Sequence, residues 1–172
     1  MINETKFKSL LGYMESGDNY KSKNSIGALG RYQFMPATLN SLKNKYNLAP
    51  WYDAEYFLKS PLLQETYASA LIKDNLKFID DNNLKTFNGR LVTGSKRFKT
   101  ITAPLNVYGM LAAMHLAGPK NLVKFLTTGY NPDDGNTSLS DYAALFSSKL
   151  TGLENITPLI LAFIPALLLY YL

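Results

Sequence analysis

Few residue types in this chain are available for chemistry. Its 172 residues include no cysteine and a single histidine, His115, which excludes a disulfide framework, a thiolate site and a histidine-rich metal centre. Any catalysis must be run by carboxylates, hydroxyls, amides or the backbone. Three stretches place such groups in suggestive surroundings. Glu15-Ser16-Gly17 sets a carboxyl and a hydroxyl at the end of an apolar-periodic segment. Gly27-Ala28-Leu29-Gly30-Arg31-Tyr32-Gln33-Phe34-Met35-Pro36-Ala37-Thr38 mixes turn glycines with an apolar strip that Gln33 interrupts, and a glutamine buried there needs a partner. Ala112-Ala113-Met114-His115-Leu116-Ala117-Gly118-Pro119 carries the histidine towards the end of a small-residue run. A carboxyl against apolar and aromatic neighbours holds its proton more tightly, because burial penalises the charged form. Glu15 has such neighbours within reach and is the candidate general acid. Each stretch alone also has a plain reading: a surface glutamate, a loop with a helix start, and a core helix with its stop.

The elements that must position these groups are mostly helices. Phe7, Leu10, Leu11 and Met14 follow i, i+3, i+4, i+7 spacing, which predicts a helix that Gly17 ends and that carries Glu15 on its last turn. Residues 17–30 are polar and glycine-containing, a loop. A second helix is expected from near Pro36, burying Leu39, Leu42 and Tyr46. Ser60-Pro61 reads as a cap followed by proline at the first helical position, opening a long helix through Leu63, Tyr67, Ala70 and Leu71. Asn88-Gly89 and Gly94-Ser95, among Phe87, Leu91, Val92 and Phe98, predict a small hairpin or projecting loop. Leu105, Tyr108, Leu111, Ala112 and His115 recur at helical spacing up to Gly118-Pro119, and a short helix follows through Leu122, Val123, Phe125 and Leu126. The turn from Asn131 to Asn136 is not a calcium loop. Taking Gly135 as the sixth-position glycine would put Tyr130 at the first ligand position. Ser140 is expected to cap a further helix with Tyr142, Leu145 and Phe146.

The fold class expected is mainly α: one helical domain over residues 1–150 with a small hairpin or loop insertion, then a hydrophobic C-terminal helix over 155–172. From Asn155 to Leu172 no residue is charged. At ~1.5 Å per residue that segment is roughly 26 Å long as a helix, slightly short of a ~30 Å hydrocarbon core. Two readings stand, a lipid contact through residues 156–172 and a buried final helix; the uniform apolarity favours the membrane. Met1-Ile2-Asn3-Glu4-Thr5-Lys6 has no apolar run after a basic start, so no secretory signal is read there. A net charge of +5 favours a polyanionic partner such as cell wall or anionic lipid. The basic residues lack an Arg-rich cluster, and no nucleic-acid partner is expected. No cofactor or metal is expected.

Glu-Ser, then a glycine-bearing loop, then Gly-Ala-Leu-Gly-Arg-Tyr-Gln-Phe-Met-Pro-Ala-Thr, and much later Ala-Gly-Pro after a small-residue helix, resembles the soluble lytic transglycosylase family of the lysozyme-like superfamily, including its phage-borne members. The resemblance covers roughly residues 5 to 147 and is strongest from Glu15 to Thr38. It departs at His115 and Leu116, where the family has tyrosine and asparagine. It implies a lysozyme-like helical fold and cleavage of the MurNAc-GlcNAc β-1,4 bond in peptidoglycan glycan strands. In that family one glutamate donates a proton and then deprotonates the sugar's 6-hydroxyl, leaving a 1,6-anhydro end. Carried over by position, Glu15 is the catalytic residue, Ser16 orients it, Gln33 bonds substrate or the site wall, and Met35 lines the groove. Tyr32 and His115 add stacking or polar contacts to sugar, although a core role for His115 is equally open. Two rivals remain: a hydrolase in which Asp18 or Asp53 activates water, and a catalytically idle wall-binding or membrane-associated module. A virion or bacterial-envelope setting fits a wall-cutting domain with a possible membrane anchor.

Overall fold

The computed structural model describes residues 2–97, 99–133 and 135–151. The expected C-terminal hydrophobic helix and its lipid contact, residues 155–172, lie outside the described residues. What is described is mainly helical, as expected: α1 (Glu4–Ser16), α2 (Pro36–Tyr46), α3 (Ala54–Leu58), α4 (Pro61–Asp81), a 3-10 turn (Leu84–Phe87), a hairpin of β1 (Leu91–Gly94) and β2 (Ile101–Pro104), α5 (Val107–Ala117), α6 (Pro119–Thr128) and α7 (Leu139–Lys149). Among the described residues no helix is long and apolar enough to cross a membrane.

The centre of the molecule is α5. Every residue from Val107 to Met114 is buried, so this helix is apolar on all sides because it has neighbours on all sides. It packs against α4, α6 and α7, while α7 also covers both strands. The α5–α7 crossing is close because Gly109 has no side chain; a Cβ there would collide with the Ser147 hydroxyl and the Ala143 carbonyl. The freed space lets Ser147 Oγ accept from the Asn106 N–H at 3.2 Å. A ring stack then docks α1 on this pair, with Phe7 against Tyr108 on α5 and, at 5.5 Å, against Phe146 on α7.

Two helix starts differ from expectation. Ser60 sits at the N-cap of α4, but its hydroxyl donates to the Tyr56 carbonyl at 2.8 Å and caps nothing. The cap of α7 is Ser138 rather than Ser140: its side chain accepts from the Asp141 N–H while Asp141 accepts from the Ser138 N–H, a reciprocal capping box. Ser140 lies one residue inside and exchanges bonds with Asn131. The short α3, which sequence spacing did not indicate, is capped by Asp53 accepting from the Tyr56 N–H at 2.8 Å.

Candidate active site

Glu15 is the penultimate residue of α1. Gly17 ends the helix in the left-handed conformation, φ 64°, a geometry that costs glycine little. The Gly17 and Asp18 N–H groups turn back to the carbonyls of Tyr13 and Gly12. The chain therefore leaves α1 sharply, and Glu15 stays on the helix body, its side chain only 14% exposed. Its Oε1 accepts from the Tyr142 hydroxyl at 2.8 Å and lies 3.7 Å from His115 Nε2. Three elements thus meet at one carboxylate: α1, the last turn of α5, and the first turn of α7.

Tyr142 is buried, and burial together with the facing Glu15 carboxylate pushes its hydroxyl well above the usual phenol range, against a smaller opposing pull from Arg97. It is therefore a fixed hydrogen-bond donor rather than a titrating group. His115 packs edge-on against Phe34 with ring centroids 6.1 Å apart. Among the described residues its buried Nδ1 has no hydrogen-bond partner. The same histidine lines a cleft of about 300 Å³ together with Gln33, Met35, Thr38, Asn75 and Pro119. His115 is thus the residue through which the carboxylate and the cleft are joined. Met35 is 40% exposed and presents an apolar surface to anything in that cleft.

The loop that forms one wall of the cleft is locked from below by α4. Gly30 has φ 74°, and a Cβ there would collide with the Gln64 amide. That close approach lets the fully buried Gln64 accept from the Arg31 N–H at 2.8 Å and donate to the carbonyls of Tyr20 and Phe57. Beside it, Glu65 accepts from Tyr32, Tyr20 and Arg31 at 2.6–2.8 Å and pairs with Lys8. Burial opposes ionisation of Glu65, but these donors outweigh it and hold the carboxyl down at about 2. Leu29 and Phe34 exchange backbone bonds across the turn they enclose. Gln33 sits in that turn with φ 48°, an uncommon conformation for a residue with a Cβ, and its side-chain nitrogen donates to the Gly30 carbonyl at 2.9 Å.

Of the six residues singled out in the sequence, Glu15 and His115 come together, and His115, Gln33 and Met35 share the cleft. Two are corrected. Ser16 does not orient Glu15: its hydroxyl donates to the Arg31 carbonyl at 2.8 Å and accepts from the Asn19 N–H, so it ties the helix end to the loop. Tyr32 offers no face to sugar. It is fully buried, with its hydroxyl spent on Glu65 and Arg31. The two alternative carboxylates also have structural partners. Asp18 is paired with the Arg31 guanidinium at 2.9 Å, and Asp53 caps α3.

Tyr142, Gln64, Glu65 and Asn75 were missed as site residues. Tyr142 lies 127 positions from Glu15, and its helical spacing marks it only as core. Gln64 and Glu65 follow Ser60-Pro61, where local sequence announces a helix start and nothing about the loop they hold.

No family model and no curated protein matches the chain. Among solved structures, the lytic transglycosylase Slt from Pseudomonas aeruginosa, an inactive mutant, is similar with a TM-score of 0.51 and 16% identity. The match covers 85% of this chain and 22% of that one, so the chain spans about a fifth of its neighbour's length. At this identity the likeness is one of fold: a lysozyme-like helical domain with a small hairpin, as the sequence led us to expect.

Proposed function

We propose that this chain cleaves the glycan strands of peptidoglycan as a lytic transglycosylase, with Glu15 as both acid and base. The observation that carries the reading is the placement of Glu15: a nearly buried carboxyl held by a phenol donor, joined through His115 to a cleft walled by Gln33 and Met35. A low-dielectric wall around a single carboxyl suits proton donation to a glycosidic oxygen. With the proton delivered, the Tyr142 hydroxyl stabilises the resulting charge. The carboxylate then takes the proton of the sugar's 6-hydroxyl, and the ring closes without water. The fold likeness to a lytic transglycosylase supports this reading. So does the engagement of Asp18 and Asp53 elsewhere, which leaves neither as a free second carboxylate for the hydrolytic alternative.

We extend the proposal to the setting: a phage particle or the bacterial envelope, with residues 156–172 in contact with lipid. The uncharged run from Asn155 to Leu172 supports it. Floating the full chain with lipid vesicles at high salt tests it, because apolar insertion is not screened by salt. Retention in the lipid fraction is expected; recovery in the aqueous fraction refutes the lipid contact. The catalytic proposal is tested by digestion of purified walls with wild type and Glu15→Gln. Release of glycan fragments by the first alone is expected.

A further inference from the structure

One amide of α4 stands on a face that is otherwise apolar. Ala68, Leu71, Ile72 and Asn75 follow i, i+3, i+4, i+7 spacing and line a small apolar cavity, which shares Phe34, Leu71, Asn75 and His115 with the cleft. Asn75 is 6% exposed, and a carboxamide taken out of water needs a partner. Two other asparagines find one locally: Asn82, closing α4, and Asn121, in α6, each donate to the carbonyl four residues earlier at 2.9 Å. Among the described residues the Asn75 side chain makes no hydrogen bond. Its neighbours around the cavity are committed elsewhere. The Tyr32 hydroxyl is spent on Glu65 and Arg31, and His115 turns Nε2 towards Glu15. The side left open to the Asn75 carboxamide is the cleft of about 300 Å³.

We propose that Asn75 is a substrate-binding residue that recognises an acetamido group of the glycan in this cleft. A carboxamide presents a donor and an acceptor side by side, the complement of the carbonyl and N–H of another amide. The wall around it is apolar, with Phe34, Leu71, Met114 and Leu116 lining the same cleft. A sugar hydroxyl placed there would satisfy Asn75 and leave that wall without a partner. An acetamido group serves both, its amide meeting Asn75 and its methyl meeting the apolar side chains. A sugar with hydroxyl in place of acetamido leaves Asn75 buried and unbonded, so the residue selects between the two by the cost of that loss.

This inference rests on the proposed glycan-cleaving activity. The test is a binding titration of the full chain carrying Glu15→Gln, which prevents turnover, with two neutral tetrasaccharides: chitotetraose, with acetamido groups, and cellotetraose, with hydroxyls in their place. Each is measured with Asn75 intact, with Asn75→Leu and with Asn75→Ala, and thermal melting accompanies every variant. Asn75→Leu is expected to weaken chitotetraose roughly tenfold, to leave cellotetraose little affected, and to keep or raise Tm, because the amide it removes bonds nothing within the fold. Equal losses for both sugars, or none for either, overturn the inference. So does a lower Tm in both Asn75 variants, which would give the amide a role inside the fold. A wild type that releases no glycan fragments from walls, with a Glu15→Gln chain that binds neither sugar, overturns the functional proposal and this inference with it. An active wild type whose sugar binding is indifferent to Asn75 overturns this inference alone.

Discussion

Glu15 carries the chemistry in this account, and its amide counterpart isolates the proton. Glu15→Gln keeps the shape and can still accept from Tyr142, so loss of wall clearing with an unchanged circular dichroism spectrum is expected; clearing at near the normal rate would assign the acid to another residue. Tyr142→Phe removes the donor that steadies the carboxylate, and kcat should fall about tenfold, equivalent to ~1.4 kcal/mol of transition-state stabilisation. Asp18→Asn should alter the rate only modestly, because Asp18 is committed to Arg31; a loss comparable to that of Glu15→Gln would favour water activation by Asp18. Glu15, Gln33 and Met35 could be singled out as candidates in the sequence because each belongs to a local motif whose neighbours travel with it. Tyr142 was not, since its meaning comes from a contact across the whole domain. Tyr32 was misjudged for the related reason that its ring and hydroxyl serve an ion cluster with Glu65 and Arg31 that no local spacing reveals.

At the scale of elements, the loop between α1 and α2 is held by two adjacent side chains of α4. The lowered pKa of Glu65 fixes the sign of a pH effect: a carboxyl held below its ordinary range contributes stability above pH ~4.5, and that contribution is lost as pH falls through about 2. Glu65→Gln should therefore cost about 2 kcal/mol near neutrality and flatten the dependence of Tm on pH between roughly 4.5 and 2. An unchanged acid limb in thermal melts would show that the cluster does not hold the loop. The crossing of α5 and α7 makes its own demand, because Gly109→Ala drives a methyl into Ser147 and Ala143; a loss of about 2 kcal/mol in chemical denaturation is expected. Helices α1, α2, α4, α5 and α6 were readable from apolar spacing and from glycine and proline at their ends. The five-residue α3 is too short to show a period. The start of α7 was displaced by two residues because Ser140 drew attention from Ser138, although Asp141, three residues after Ser138, completes the capping pattern and Ala143 after Ser140 does not.

The molecule as a whole surrounds one buried helix, α5, and near its last turn α1 brings Glu15 and α7 brings Tyr142. Gly109, Ala112 and Ala113 let neighbours approach this helix closely, and the Gly118-Pro119 stop at its end lines the cleft. The fold class could be read from sequence because the helical period is strong; which residues meet at the cleft could not, because that depends on how α1, α5 and α7 cross. If the described core is self-sufficient, cutting the chain after Leu153 should yield a soluble domain with a cooperative melt and full activity, and aggregation of that fragment would place the tail within the fold. The central claim is that one glutamate, without a second carboxylate, cuts the glycan and closes the sugar on itself. Mass spectrometry of purified glycan strands digested by the wild-type chain tests this most directly. The account predicts fragments ending in 1,6-anhydro sugar, lighter by one water than hydrolytic products; reducing ends, or no fragments at all, would contradict it.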